Sequence, residues 1–405
     1  MSEAALSPSR ATRWWDRFGK KLGVDPWMVL IVAAMALFGM IMVFSSSWDV
    51  SYQYLGDPYA LFRKQLFHMG LGIAAMMIAA VFPMRILKML ALPIMAFSIA
   101  SLFFVLLVAG GDGPRRAFLD GSVQPSEMAK LALIIYLAAW MESKGDRIRQ
   151  WEYGFIPLMG IIAVVAALIL KQPDLSAALT ITIVALAMFY IAGASLTQTV
   201  SIVMGGAAVG LLLVRITSTG RARWQDYLAG VVDIEQASYH VQRSLQAFYT
   251  GGIMGRGLGA SREKFGLLPV PHTDSVFAVV GEELGLVGAI MVLALFAAFV
   301  WRGFRISMEA EDKFAMLMAA GIAFWIGLEA LINMSVLLGM LPFAGNALPL
   351  FSYGGSNLLV TLTAIGLLLN VARQRSGQRG RKPDVTSFDI GRRDRRRSLP
   401  RSGRS

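Results

Sequence analysis

Ten apolar runs of roughly membrane-crossing length divide this chain: residues 27–46, 66–82, 89–109, 127–141, 153–170, 175–193, 197–214, 275–301, 313–338 and 356–372. A helix needs about 20 apolar residues to cross the hydrocarbon layer, and the shorter runs reach that length with their flanking residues. With 56% apolar and 16% charged residues over 405 positions, the chain reads as an all-α, polytopic integral membrane protein with ten transmembrane helices. The first run lies too late, behind too many charges, for a cleaved signal peptide, so it reads as a retained anchor.

Charge sets the orientation. Of the net +12, residues 1–26 hold +2 and residues 372–405 hold +9, which places both termini on the cytoplasmic side. The short connections around Arg85 and Lys88, Lys144 to Arg149, and Arg302 to Lys313 then fall inside as well. This gives a cytoplasmic basic and aromatic segment (1–26), a membrane domain (27–372) and a cytoplasmic basic tail (373–405) expected to be disordered. The longest connection, 215–274, becomes one large extracytoplasmic loop; its arginines are either a solvated surface or an anion-binding face. Trp14, Trp15 and Phe18 among Arg10, Arg13, Arg17, Lys20 and Lys21 suit an interfacial helix on an anionic leaflet. Beside so many spans, the basic balance points to the membrane and not to nucleic acid. The chain has no cysteine and three scattered histidines, which excludes thiolate chemistry and argues against a histidine metal cage.

Charged residues inside apolar runs are the candidates for function. Asp274 stands at the mouth of the eighth run, either as a helix cap or as a base at the membrane interface. Glu282 lies two helical turns further on nearly the same face, and Glu283 is rotated by about 100°; a structural ion pair or a polar cavity accounts for them. Glu127 and Lys130, at i and i+3, share a face of the fourth run, where they either neutralise one another or line a cavity below Arg115 and Arg116. Lys171 and Asp174 flank the turn at Pro173 as an interfacial pair. Gly251–Gly259 (GGIMGRGLG) lacks a preceding strand and reads as tight turns, not a nucleotide loop. In LPFAGNALPLFSYGGSNLL, prolines and glycines precede the last run, so this backbone must be packed in protein or line a cavity.

PRRAFL, QPSEMAK, KQPDL, GGIMGRGLG, LPVPHTDSVFAVVGEELGLVG and LPLFSYGGSNLL, in this order from about Asp25 to Arg373, resemble the shape, elongation, division and sporulation (SEDS) family typified by FtsW and RodA. Departures are Ala117 where the family usually has tryptophan, Ser176 and Ala177 where it has glycine and threonine, and Asn357 where it has serine.

The resemblance implies a peptidoglycan glycosyltransferase that polymerises lipid II, working with a class B penicillin-binding protein that crosslinks the product. By the same resemblance Asp274 is the catalytic aspartate. Glu127, Lys130, Arg115 and Arg116 become substrate-binding residues, together with Lys171, Asp174, His272 and Ser352 of the shared motifs. No cofactor is required by the motifs; a divalent cation, Mg or Mn, is compatible with a departing diphosphate. The N-terminal extension, the basic tail and the Ser45–Ser47 end of the first run favour the division branch and other division proteins as partners, with elongation the near alternative. A lipid II transporter predicts polar residues along the whole crossing, whereas here they cluster towards the outside; a division scaffold would need no charged cavity.

Overall fold

The computed structural model describes residues 25–108, 124–172 and 174–379, which are helical with no strand among them. The first four helices are α1 (Pro26–Leu55), α2 (Ala60–Val81), α3 (Met84–Met89) and α4 (Ala91–Val108). After residues 109–123 come α5 (Pro125–Lys144), α6 (Ile156–Lys171), α7 (Leu175–Ile191) and α8 (Leu196–Ile216). Then follow α9 (Ser218–Val232), α10 (Tyr239–Gly251), α11 (Val276–Met308), α12 (Lys313–Leu337) and α13 (Gly355–Arg379).

Every one of the ten apolar runs lies on a helix. Six helical stretches are long and apolar enough to cross a membrane: α1, α2, Trp151–Lys171, α11, α12 and Gly355–Gln374. Ala91–Leu107 and Leu175–Ile191 are shorter apolar helices. Two expectations need correction. Helix α1 runs 30 residues, beyond its apolar stretch, because Asp25 caps Met28 N–H at 2.9 Å and no breaker intervenes before Gly56. The long connection 215–274 is largely helical, since α9 and α10 lie within it.

Packing follows small residues. Helix α13 lies along α2 so closely that a Cβ on Gly366 would come within 2.3 Å of the Met76 carbonyl, and one on Gly72 within 2.5 Å of Leu362. Such contact is the usual basis of association between apolar helices, where burial against hydrocarbon provides no drive. Asn370 of α13 then donates to the carbonyls of Ala79 and Phe82, satisfying the end of α2. Arg302 of α11 forks onto Asp25, tying the start of α1 to the far half of α11.

Candidate functional site

Helix α11 is broken at Gly285, whose φ of 67° and ψ of −160° leave the helical region. The break frees backbone groups, and the glycine-rich turn before the helix takes them up. Arg256 and Gly257 N–H donate to the carbonyls of Glu282 and Glu283 at 3.0 and 2.9 Å. Leu286 and Val287 N–H donate in return to Gly252 and Ile253. A Cβ on Gly255 would sit 2.2 Å from the Glu283 carbonyl, so GGIMGRGLG is glycine-rich because backbone meets backbone there.

Both glutamates complete this docking. Glu282 accepts from Arg256 at 3.2 Å, from the N–H groups of Arg262 and Glu263 at 2.9 and 3.2 Å, and from the Ser261 hydroxyl. Glu283 accepts from Lys264 at 2.7 Å and from Ser45 through both oxygens. Of the two sequence readings, the structural ion pair is the one observed.

The same loop delivers Asp274 to the start of α11. The N-cap residue is Ser275, so Asp274 is not the cap. Asp274 is part-buried, and its carbonyl accepts from Asn333 Nδ2 of α12 at 2.9 Å. The second proton of that amide goes to the Asn346 carbonyl at 2.6 Å, and Asn346 itself donates to the Glu329 carbonyl at 3.0 Å. A carboxylate oxygen of Asp274 lies 3.4 Å from where a Gly345 Cβ would be, so the acid borders the irregular segment 338–354.

That segment gathers the starts of four helices. Ser352 bridges it to the Asp274 loop, donating to the Thr273 carbonyl at 2.6 Å and accepting from Leu348 N–H at 2.7 Å. Tyr353 N–H donates to the His272 carbonyl at 2.7 Å, so the approach to α13 lies against the approach to α11. The side chain of Gln124, before α5, does not cap its own helix; its N–H donates to Ser356 at 3.2 Å and its amide to Asp174 at 3.0 Å. Asp174 caps α7 through Ala177 N–H at 3.1 Å, and Ser176 donates to the Ala344 carbonyl. The N-termini of α5, α7, α11 and α13 thus converge at one end of the bundle. Partial positive charge from four helix starts suits an anion there.

Below them lies a buried charge cluster. Lys130 donates to Glu127 at 2.8 Å and to Glu329 of α12, and its ammonium lies 5.4 Å from the Trp325 ring centroid. Asn357, at the start of α13, donates to the other oxygen of Glu127 at 2.9 Å. Glu329 and Trp325, one turn apart on α12, are both buried beside Lys130, and the indole N–H is a further donor to Glu329.

The structure therefore brings Asp274, Glu127, Lys130, Asp174, His272 and Ser352 to one end of the bundle. Lys171 is exposed, and no ion pair joins it to Asp174 among the described residues. The bonds of Asp174 and Ser352 join one chain segment to another. Burial pushes His272 down to about 4, so its imidazole is neutral at pH 7. Arg115 and Arg116 lie outside the described residues. The sequence reading missed Glu329, Asn333 and Asn346. The first two are polar residues in a predicted span, one turn apart in FWIGLEALINMS, and that placement is itself a functional signal. No group of three or more His, Asp or Glu side chains gathers among the described residues, so they build no cation cage of their own.

With that geometry in view, a family model described as a cell cycle protein, FtsW/RodA/SpoVE, matches residues 26–377. A probable peptidoglycan glycosyltransferase FtsW of Geobacter metallireducens is 37% identical over 355 residues, covering 86% of this chain and 95% of that protein. Stage V sporulation protein E of Bacillus subtilis is 35% identical, covering 87% and 98%. Among solved structures, a chain from a peptidoglycan synthase complex, described as coordinating polymerization and crosslinking, superposes with a TM-score of 0.70 at 29% identity. The match covers 87% of this chain and 98% of that one. The rod shape determining protein RodA of Thermus thermophilus gives 0.65 at 28% identity, covering 87% and 97%.

Proposed function

The chain belongs to the FtsW/RodA/SpoVE family of cell cycle proteins, and on that premise we propose that it is a peptidoglycan glycosyltransferase. It polymerises lipid II into glycan strands at the outer face of the cytoplasmic membrane during septal wall synthesis. FtsW relatives at 34–37% identity favour division over the elongation role, since the RodA likeness is 28%. The observation that carries the chemistry is Asp274, a part-buried carboxylate at the meeting of four helix N-termini.

The reaction joins an acceptor hydroxyl to an anomeric carbon. The new C–O bond forms as the anomeric C–O–P bond breaks, and the diphosphate leaves with the bonding electrons. The hydroxyl proton goes to Asp274. Diphosphate needs little protonation to leave, so one carboxylate suffices where glycoside hydrolysis uses two. Charge developing on the diphosphate is met by the helix starts and by Arg115 and Arg116. Lys130 joins them when it turns from its glutamates, and His272 contributes a hydrogen bond as a neutral ring.

Ten spans with both termini cytoplasmic fit this reading. Helices α5, α7, α11 and α13 would all begin at the outer face, beside the external loop 215–274. The Lys88–Glu142 and Arg302–Asp25 pairs would mark the inner one. A class B penicillin-binding protein is the partner that would crosslink the product.

Asp274→Asn is the direct test. Purified with its partner transpeptidase and given lipid II, the variant is expected to lose polymer by about 10²–10⁴-fold, the usual range for a general base. Polymer equal to wild type on a gel would remove Asp274 from the chemistry.

A further inference from the structure

A second feature lies two residues along the chain from Gly345, the glycine beside Asp274, and is lined by Phe343. Helices α9 and α10 fold over the start of the 338–354 segment and enclose a cavity of about 350 Å³. That lies within the range of small-molecule sites, roughly 300–1,000 Å³. Its polar lining is Arg223, Asp226, Tyr227 and Ser238; Phe343 closes one end. The cavity is held open by its own framework. Gly230 lets α9 approach Ala237, where a Cβ would meet the alanine Cβ at 2.6 Å. Tyr227 donates its hydroxyl to the Met340 carbonyl at 3.2 Å, and the His240 ring stacks on Phe343 with centroids 4.2 Å apart.

Phe343 connects this cavity to the acid. A Cβ on Gly345 would meet the Phe343 ring at 3.6 Å and the Asp274 carboxylate at 3.4 Å. Only a residue without a side chain, with φ of +60°, stands between them. Resting on the glycosyltransferase reading above, we propose that this cavity seats the sugar that brings the attacking hydroxyl, an N-acetylated pyranose, one residue away from the base.

The chemistry of the lining fits that occupant. Aromatic rings carry negative charge on their faces, which suits the C–H-bearing face of a pyranose. A guanidinium supplies several donors and a carboxylate only acceptors, so Arg223 and Asp226 together match neighbouring hydroxyls and an acetamido group. A sugar seated against Phe343 would lie one glycine, Gly345, from the Asp274 carboxylate. The cavity thereby gives α9 and the body of α10 a task that the shared motifs leave unassigned.

The test uses the full-length protein in nanodiscs with its partner transpeptidase, and the soluble β-1,4-linked N-acetylglucosamine–N-acetylmuramic acid disaccharide as probe. Saturation-transfer NMR reads binding of the disaccharide, and lipid II polymerisation reads kinetics. Wild type and Asp274→Asn are expected to bind the probe alike, because the variant changes the base and leaves the cavity whole. Ser238→Trp, which fills the cavity, and Arg223→Gln, which preserves its volume, should each weaken probe binding about tenfold. Each should raise the apparent KM for lipid II by a similar factor with kcat within about twofold, as for lost uniform binding.

Probe binding and KM unchanged in Arg223→Gln and in a folded Ser238→Trp would overturn the assignment. So would loss of partner co-purification in either variant with probe binding intact, which would give the cavity to the transpeptidase. If Ser238→Trp fails to fold, Arg223→Gln and Asp226→Asn decide alone. Full polymerase activity in Asp274→Asn would sink the catalytic reading, and it is distinguishable from these outcomes because it leaves probe binding untouched.

Discussion

Two buried charge clusters stand on neighbouring helices and differ in how completely they are answered. Around the break in α11, Glu282 and Glu283 face Arg256 and Lys264, and hydroxyl and backbone N–H donors complete their bonding. Between α5 and α12, Glu127 and Glu329 share one cation among the described residues, Lys130. In the first cluster each glutamate has a cation of its own, and together they lock a loop onto a helix. In the second, two carboxylates draw on one lysine, near the end of the bundle where four helices begin. Buried charges become structural when they are fully paired, and they stay available when they are not.

Removing the lysine from each cluster tests the contrast most strongly. Lys130→Met leaves two buried carboxylates without the cation they share, and should cost about 3–5 kcal/mol, the range for breaking a buried pair. Lys264→Met leaves Glu283 still bonded to Ser45 through both oxygens. Its cost should be nearer 1.5–3 kcal/mol, the range for a hydrogen bond to a charged group. Thermal unfolding of the two variants in one detergent gives the ranking. A larger loss for Lys264→Met would show that Glu283 depends on its cation more than the two glutamates that share Lys130 do.

The same contrast explains what was legible beforehand. The apolar runs fall on helices among the described residues, six of which are long and apolar enough to cross a membrane, because hydrocarbon length and hydropathy are local properties of the chain. Glu127 with Lys130 could be read from i, i+3 spacing, but their third member, Glu329, lies 199 positions from Lys130, and no local pattern links them. The glycine-rich turn was read as tight turns; its real constraint, the broken helix at Gly285, is a contact between two segments. Ser176 and Asn357 looked like departures from a family pattern. In the fold each makes a bond, to the Ala344 carbonyl and to Glu127, so their side chains are occupied and not merely tolerated.

Asn333 sharpens the comparison at intermediate size. Its amide holds two carbonyls, those of Asp274 and Asn346, and so joins the open end of the site to α12. Asn333→Ala orphans both, at a cost of about 1–3 kcal/mol. Polymerisation should fall about tenfold or more with the KM for lipid II little changed, because the base is displaced and the binding surface is not. Asn333→Ser, which keeps one donor, should fall between. A stability loss without a kcat effect would make Asn333 part of the scaffold alone.

The smallest effect concerns His272, which packs edge-on to Tyr353 at 5.6 Å, beside the junction that carries Asp274. Burial holds its pKa at about 4, below the 6.5 of an unfolded histidine. Between those values the unfolded chain binds a proton that the native ring refuses, so stability falls as pH falls from 6.5 towards 4. Going from pH 7 to 5.5 should cost roughly 1 kcal/mol from this residue. In His272→Phe that part of the slope disappears, and melting temperatures at the two pH values measure the difference. An unchanged slope would mean the native ring takes up its proton as readily as the unfolded chain does. The junction would then carry a positive charge of its own, and the contrast between a neutral approach to Asp274 and the charged clusters below it would not hold.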